Sequence, residues 1–139
     1  MPQRNGEGDM SVGAFLAVGV GAAVGAWLRW WLSLLLNPIV PPLPMGTLVA
    51  NLVGGYLIGV AVELLGQHTT LAPELRLFVI TGFLGGLTTF SAFSAEAVLL
   101  IQRLEWGWLL LLVSVHVLGS IAMTLLGVAS VRALLGVSS

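Results

Sequence analysis

The sequence predicts an all-α membrane protein of four transmembrane helices. Three observations carry this. Charge is scarce, with 5 Arg and 6 Asp or Glu in 139 residues, or 8% of the chain, where a soluble domain carries about 25%. Apolar residues make up 58%, more than a water-exposed surface of this size tolerates. The charges also fall at intervals that leave four uncharged stretches of 19 to 33 residues, each long enough for the ~20 residues a spanning helix needs. Those stretches show no period-two alternation, which argues against a β-barrel. Disordered chains are polar and charged, so disorder is excluded. A net charge of −1 and a pI near 6.0 leave no basic footprint for nucleic acid. There is no Cys, hence no disulfide framework, thiolate metal site or Cys nucleophile.

Taken in order, residues 1–10 form a short polar tail. The chain is uncharged from Met10 to Leu28, which places the first span at 11–34. Arg4 ahead of an apolar run raises the alternative of a signal peptide. However, Glu7 and Asp9 spoil its positive region, and Arg29-Trp30-Trp31 reads as an interfacial anchor. Pro38, Pro41, Pro42 and Pro44 cannot lie inside a helix and mark a loop. The second span is then 46–65, the third 75–101 and the fourth 106–134. Residues 11–134 form one transmembrane domain, and 135–139 a C-terminal tail.

An even number of spans puts Arg4, Arg76 and Arg132 on one side of the membrane and Arg29 and Arg103 on the other. So even a split does not choose an orientation. Either the chain is oriented by other means, or it inserts both ways and pairs antiparallel with itself.

On the first span, Gly13, Ala17, Gly21, Gly25 and Arg29 recur at every fourth position. Residues four apart share a helix face, and small ones there let a second helix approach closely. Arg29 is permanently charged. It either snorkels to the headgroups or attracts an anion at the mouth of a polar path. The second span repeats the spacing with Thr47, Asn51, Gly55, Gly59 and Glu63. Asn51 lies within the apolar run, where an amide needs partners. A helix–helix bridge and a water-filled path would each supply them. Glu63 reads as interfacial.

The third span is the most informative. It holds Gly82, Gly85 and Gly86 among the hydroxyls of Thr81, Thr88, Thr89, Ser91 and Ser94. Such residues are poor in an uninterrupted helix. Gly-Gly ahead of Thr-Thr predicts a break mid-span, where freed carbonyls are natural cation ligands. A straight helix whose hydroxyls bond back to the preceding turn is the alternative. Phe90 and Phe93 are three apart, so both rings can face one side. They serve either as packing or as electropositive ring edges along a path for a small anion. Glu96, one turn on, is interfacial or lines an entrance. In the fourth span His116, Ser120 and Thr124 form another four-residue stripe. A lone His is a poor metal site and reads as a packed donor.

Together these residues resemble the Fluc (CrcB) fluoride channels. The specific segment is Gly-Gly-Leu-Thr-Thr-Phe-Ser-Ala-Phe-Ser-Ala-Glu at 85–96. Gly46-Thr47-Leu48, Asn51 and Gly54-Gly55 extend the match, as do Gly21, Gly25, Ala26 and Arg29. The likeness covers nearly all the chain after residue 10. It implies a dual-topology antiparallel homodimer with two fluoride pores in the cell's inner (plasma) membrane. The sequence offers no nucleophile–base pair or metal cluster that would point to an enzyme. By that likeness Asn51, Phe90, Phe93 and Ser91 line a pore, with Thr47 nearby. Arg29 sits at the vestibule and Glu96 at another stretch of the pore. Carbonyls of Gly85 and Thr88 from both chains surround a central, structural Na+. Two features depart from the family pattern. Ala92 stands where a hydroxyl is common, and Trp108, Leu112 and His116 occupy a track usually lined by Tyr and hydroxyls or amides. His116 is then the main polar member of that track.

A fluoride path must replace a tightly held water shell with donors weak enough to release the ion. The Asn51 amide, the Ser91 hydroxyl and phenyl edges suit that task, and movement is passive. A proton-coupled exporter resembling the small multidrug resistance proteins is the alternative. It needs a membrane-embedded carboxylate, and the first span has none between Met10 and Leu28. A non-transporting assembly partner is a third class, and it would need no polar stripes.

Overall fold

The computed structural model describes residues 11–67 and 71–136. The N-terminal tail assigned to 1–10 lies outside the described residues, as does most of the C-terminal tail. Four helices are long and apolar enough to cross a membrane: α1 (Val12–Leu36), α2 (Met45–Gln67), α3 (Pro73–Gln102) and α4 (Trp106–Leu135). Their ends fall within two residues of the spans read from charge spacing.

Local chemistry explains the boundaries. The Ser11 hydroxyl caps α1 by accepting from the Ala14 N–H at 3.0 Å. At the other end Asn37 Oδ1 accepts from the Gly46 N–H at 2.8 Å. That bond draws the start of α2 against the end of α1, and Gly46 lies directly against the Ser33 backbone. The Pro-rich loop is therefore a tight connector. Pro73 opens α3 at a position where its missing N–H is harmless. α4 has 30 residues, or about 45 Å at 1.5 Å per residue. This exceeds a hydrocarbon core of ~30 Å, so its ends reach the headgroup layer. Gly136 closes it in the left-handed conformation at φ 66°.

α3 is not uniform. After Pro73–Arg76 it widens into a π-type winding over Leu77–Leu84 and then returns to α geometry at Gly85–Leu87. Thr88 (φ −82°, ψ 150°) and Thr89 (φ −150°, ψ 123°) are extended. Regular helix resumes over Phe90–Gln102, capped by the Thr89 hydroxyl, which accepts from the Ala92 N–H at 3.2 Å.

Glycine sets the packing. The α1 stripe abuts the first half of α3. Gly21 meets the backbone of Phe78, Gly82 and Phe83, and Gly25 meets that of Phe83 and Leu87. Gly86 returns the contact against Ala22. α2 and α4 close in the same way, with Gly59 on the Thr124 backbone and Gly127 on the Tyr56 backbone. Small residues here replace side-chain interdigitation with near backbone contact.

Two buried clusters fill the interior. One joins Ala50, Ala61, Leu65, Leu84 and Leu87, covered by Leu28, Leu32 and Phe83. The other joins Leu43, Leu48, Leu100 and Leu112, covered by Phe93 and Leu109. The outer faces carry exposed Phe15, Trp27, Trp30, Leu110, Leu118 and Leu125. Such a belt suits lipid rather than water.

Candidate functional site

A groove of about 570 Å³ runs between α2, α3 and α4. From α2 it is lined by Asn51, Gly54, Gly55 and Ile58. From α3 it is lined by Ile80, Leu84, Gly85, Thr88, Thr89, Phe90 and Phe93, and from α4 by His116, Ser120 and Thr124. None of the lining residues is acidic.

Asn51 organises the wall. Its Nδ2 donates to the Thr89 carbonyl at 3.1 Å, and its Oδ1 accepts from the Thr89 N–H at 2.8 Å. An amide has two N–H donors, so one remains for the groove. The pairing also frees carbonyls. In a continued helix the Thr89 N–H would serve the Gly85 carbonyl and the Ala92 N–H the Thr88 carbonyl. The first turns to Asn51 and the second to the Thr89 hydroxyl.

Two of the lining hydroxyls have their protons engaged by backbone. Thr88 Oγ1 donates to the Leu84 carbonyl at 2.8 Å. Thr124 Oγ1 lies 2.9 Å from the carbonyls of both Gly55 and Ser120. Back-bonding of this kind satisfies the hydroxyl within the helix. The second Asn51 N–H, the Ser120 hydroxyl and the ring edges are therefore groove donors not occupied by backbone.

Phe90 and Phe93 lie with ring centroids 5.4 Å apart and planes tilted by 50°. Phe90 is 78% exposed, whereas Phe93 turns inward onto His116, centroid to centroid 4.8 Å. His116 is buried; its Nδ1 lies 3.0 Å from the Leu112 carbonyl, and its Nε2 has no partner among the described residues.

The remaining residues singled out in the sequence flank this wall. Thr47, buried one turn before Asn51, donates to Glu96 Oε1 at 2.5 Å. Glu96 follows Phe93 by three residues, and its Oε2 is buried without a partner among the described residues. Ser91 is exposed, with its hydroxyl 3.1 Å from that of Thr89. Arg29 Nε donates to the Gly86 carbonyl at 3.1 Å, which ties its head to the seam of α1 and α3. Glu63 pairs with Arg132 at 3.2 Å. The groove thus gathers Asn51, Phe90, Phe93, His116, Gly85 and Thr88. Thr47, Glu96, Ser91 and Arg29 are not among its lining residues.

Thr89 is the groove residue the sequence reading left out. Its signal was present in the Thr-Thr pair after two glycines, but its part is played by the backbone, which residue type does not reveal. Ser120 and Thr124 belonged to a recognised stripe. Which of its hydroxyls stay free was not legible.

Fold and site define a multi-pass helical membrane protein with a polar-walled groove between three of its helices. The family model described as "CrcB-like protein, Camphor Resistance (CrcB)" matches residues 16–128. The chain belongs to this CrcB family. It is 55% identical over 123 residues to the fluoride-specific ion channel FluC of Nitrosospira multiformis, covering 88% of this chain and 96% of the relative. The protein of the same name from Aromatoleum aromaticum is 58% identical over 120 residues, covering 86% and 92%. That from Ralstonia pickettii is 59% identical over 123 residues, covering 88% and 98%.

Proposed function

We propose that this chain is a fluoride-selective passive channel that exports toxic fluoride across the inner (plasma) membrane. Relatives of that name align along nearly their whole length, which supports the assignment. The observation that carries it is a groove walled by Asn51, Phe90 and Phe93 with no acidic side chain in its lining. The free Asn51 N–H and positive phenyl edges replace part of the water shell of a small anion. None of them holds a fixed charge, so the ion is released as readily as it is taken up. Ser91 and Thr47 extend the path beyond the groove, His116 faces it from α4, and Arg29 and Glu96 serve its approaches.

The functional unit in this reading is an antiparallel, dual-topology homodimer with two pores. The nearly even division of Arg between the two sides supports it. So does Phe90, which stands exposed in the wall of an open groove that a second copy would cover. The interruption at Thr88 and Thr89 lies at membrane depth, where such backbone must be buried in protein or line a cavity.

A structural Na+ at the dimer centre fits the carbonyls of Gly85 and Thr88. Both have lost the donors that a continuous helix would bring. Two chains would offer four oxygens, a donor type suited to a hard cation. The ion would supply positive charge and fasten the two α3 segments together.

The test is efflux of fluoride against chloride from liposomes holding the purified protein. Fluoride is expected to leave down its gradient, chloride to stay, and an imposed proton gradient to be unnecessary. Efflux that requires the proton gradient would favour the exporter class instead.

A further inference from the structure

Resting on the pathway reading above, we propose that Nε2 of His116 is a proton-dependent fluoride-binding site. The ring takes a proton from solution at Nε2, and fluoride then accepts the resulting N–H.

The geometry fixes the protonation pattern of the ring. A carbonyl only accepts, so the 3.0 Å contact to Leu112 requires a hydrogen on Nδ1. The neutral ring therefore presents a bare lone pair at Nε2. That atom is buried, has no partner among the described residues, and belongs to a residue only 5% exposed that lines the groove. A buried acceptor without a donor is an unfavourable arrangement. In an anion path it is also repulsive. One proton reverses both effects, because Nε2–H becomes a charge-assisted donor in a groove that Asn51 also lines.

The step balances simply. An N–H bond forms with a proton from water, fluoride accepts a hydrogen bond from it, and release returns the proton and the ion. A fixed cation would retain fluoride, whereas this charge leaves when the proton does.

The neighbours define what else acts on the ring. Phe93 of α3 stacks on it, and one turn beyond lies Glu96, held by Thr47 of α2. Glu63 of α2 is engaged by Arg132 of α4, three turns from Asn51. Glu105 precedes α4, three turns before His116. Among the described residues, Glu96 is the carboxyl that follows the ring's packing partner Phe93 on the same helix.

The chain has 2 His, so His68→Gln leaves His116 as the sole reporter. Its imidazole is titrated by NMR in lipid nanodiscs, in sodium fluoride and in sodium chloride at matched ionic strength. Fluoride is expected to raise the titration midpoint by about one unit over chloride, equivalent to about tenfold tighter fluoride binding by the protonated ring. The same rise is expected with Glu96→Gln added. Equal midpoints in the two salts, or a rise that vanishes with Glu96→Gln, would overturn the proposal. In liposomes the half-saturating fluoride concentration is expected to fall as pH drops from about 8 to 5, because the protonated ring is the form that binds. His116→Asn, which keeps a donor but does not titrate, is expected to flatten that slope, and an unchanged slope would count against the site. Efflux without a midpoint shift removes this site and leaves the channel reading. A shift without efflux does the reverse.

Discussion

Asn51 and Thr89, 38 residues apart in sequence, are joined by two hydrogen bonds that use both ends of one amide and both backbone groups of one residue. The side chain stands in for a neighbouring peptide at the point where α3 leaves its helical path. Asn51 therefore shapes the wall and also offers the wall a donor. Asn51→Ala removes both functions. Each buried backbone group left unpaired costs about 1–3 kcal/mol, so a lower unfolding temperature in detergent is expected. Fluoride efflux is expected to fall by at least about tenfold, the equivalent of ~1.4 kcal/mol. Wild-type efflux from well-folded Asn51→Ala would remove Asn51 from the pathway.

The two phenyl rings separate the contributions of packing and path. Phe93 lies in a buried cluster and against His116, whereas Phe90 is largely exposed. Phe90→Thr is therefore expected to leave stability within about 0.5 kcal/mol, as for surface changes in general. Phe93→Thr is expected to lose about 2–4 kcal/mol through the cavity it leaves. If the ring edges carry fluoride, efflux falls for Phe90→Thr alone and is abolished in the double variant. Efflux that tracks stability rather than Phe90 would mean the rings only pack.

These dependencies show where the sequence was readable. The spans were legible because membrane depth excludes charge, so Glu63, Arg76 and Arg103 fall close to their ends, while the proline cluster beginning at Pro38, rather than Arg29, closes the first. The Gly21 and Gly25 stripe was legible as a close-packing seam, though its partner on α3 was not. Asn51 was legible as a buried amide in need of partners. That the partner is the Thr89 backbone depends on an extended conformation set by three-dimensional packing. The wide winding over Leu77–Leu84 left no signal in residue type either. Arg29 was legible as a charge at the end of a small-residue stripe, whereas its bond to the Gly86 carbonyl depends on how α1 packs on α3.

Gly25 tests the seam. A Cβ at this position would run into the Phe83 carbonyl and the Leu87 N–H, both backbone atoms that cannot turn aside. Gly25→Ala is expected to separate α1 from α3 and destabilise the fold by about 1–3 kcal/mol. Gly19, one turn and a half earlier, has nothing within 4 Å of the same atom. Gly19→Ala should be neutral or slightly stabilising, since alanine favours the helix. Thermal unfolding of the two variants in detergent reads the difference, and equal midpoints would refute the close-packed seam.

The orientation of the chain can be read directly because it contains no Cys. Ala72 is exposed, just before α3, on the side shared by Arg76 and Arg132. Ala72→Cys supplies a single thiol without touching the groove. In cells, a membrane-impermeant maleimide is expected to label about half of the protein, because 3 Arg against 2 provide almost no orienting bias. Lysis should then expose the remainder. Adding two Arg residues beside Ala72 should drive that loop to the cytoplasm and abolish labelling from outside. If the chain works only as an antiparallel pair, fluoride efflux should vanish with that bias. It should return when a second copy biased the opposite way is co-expressed. Labelling from one side alone in the unbiased chain, with full efflux, would exclude the antiparallel dimer.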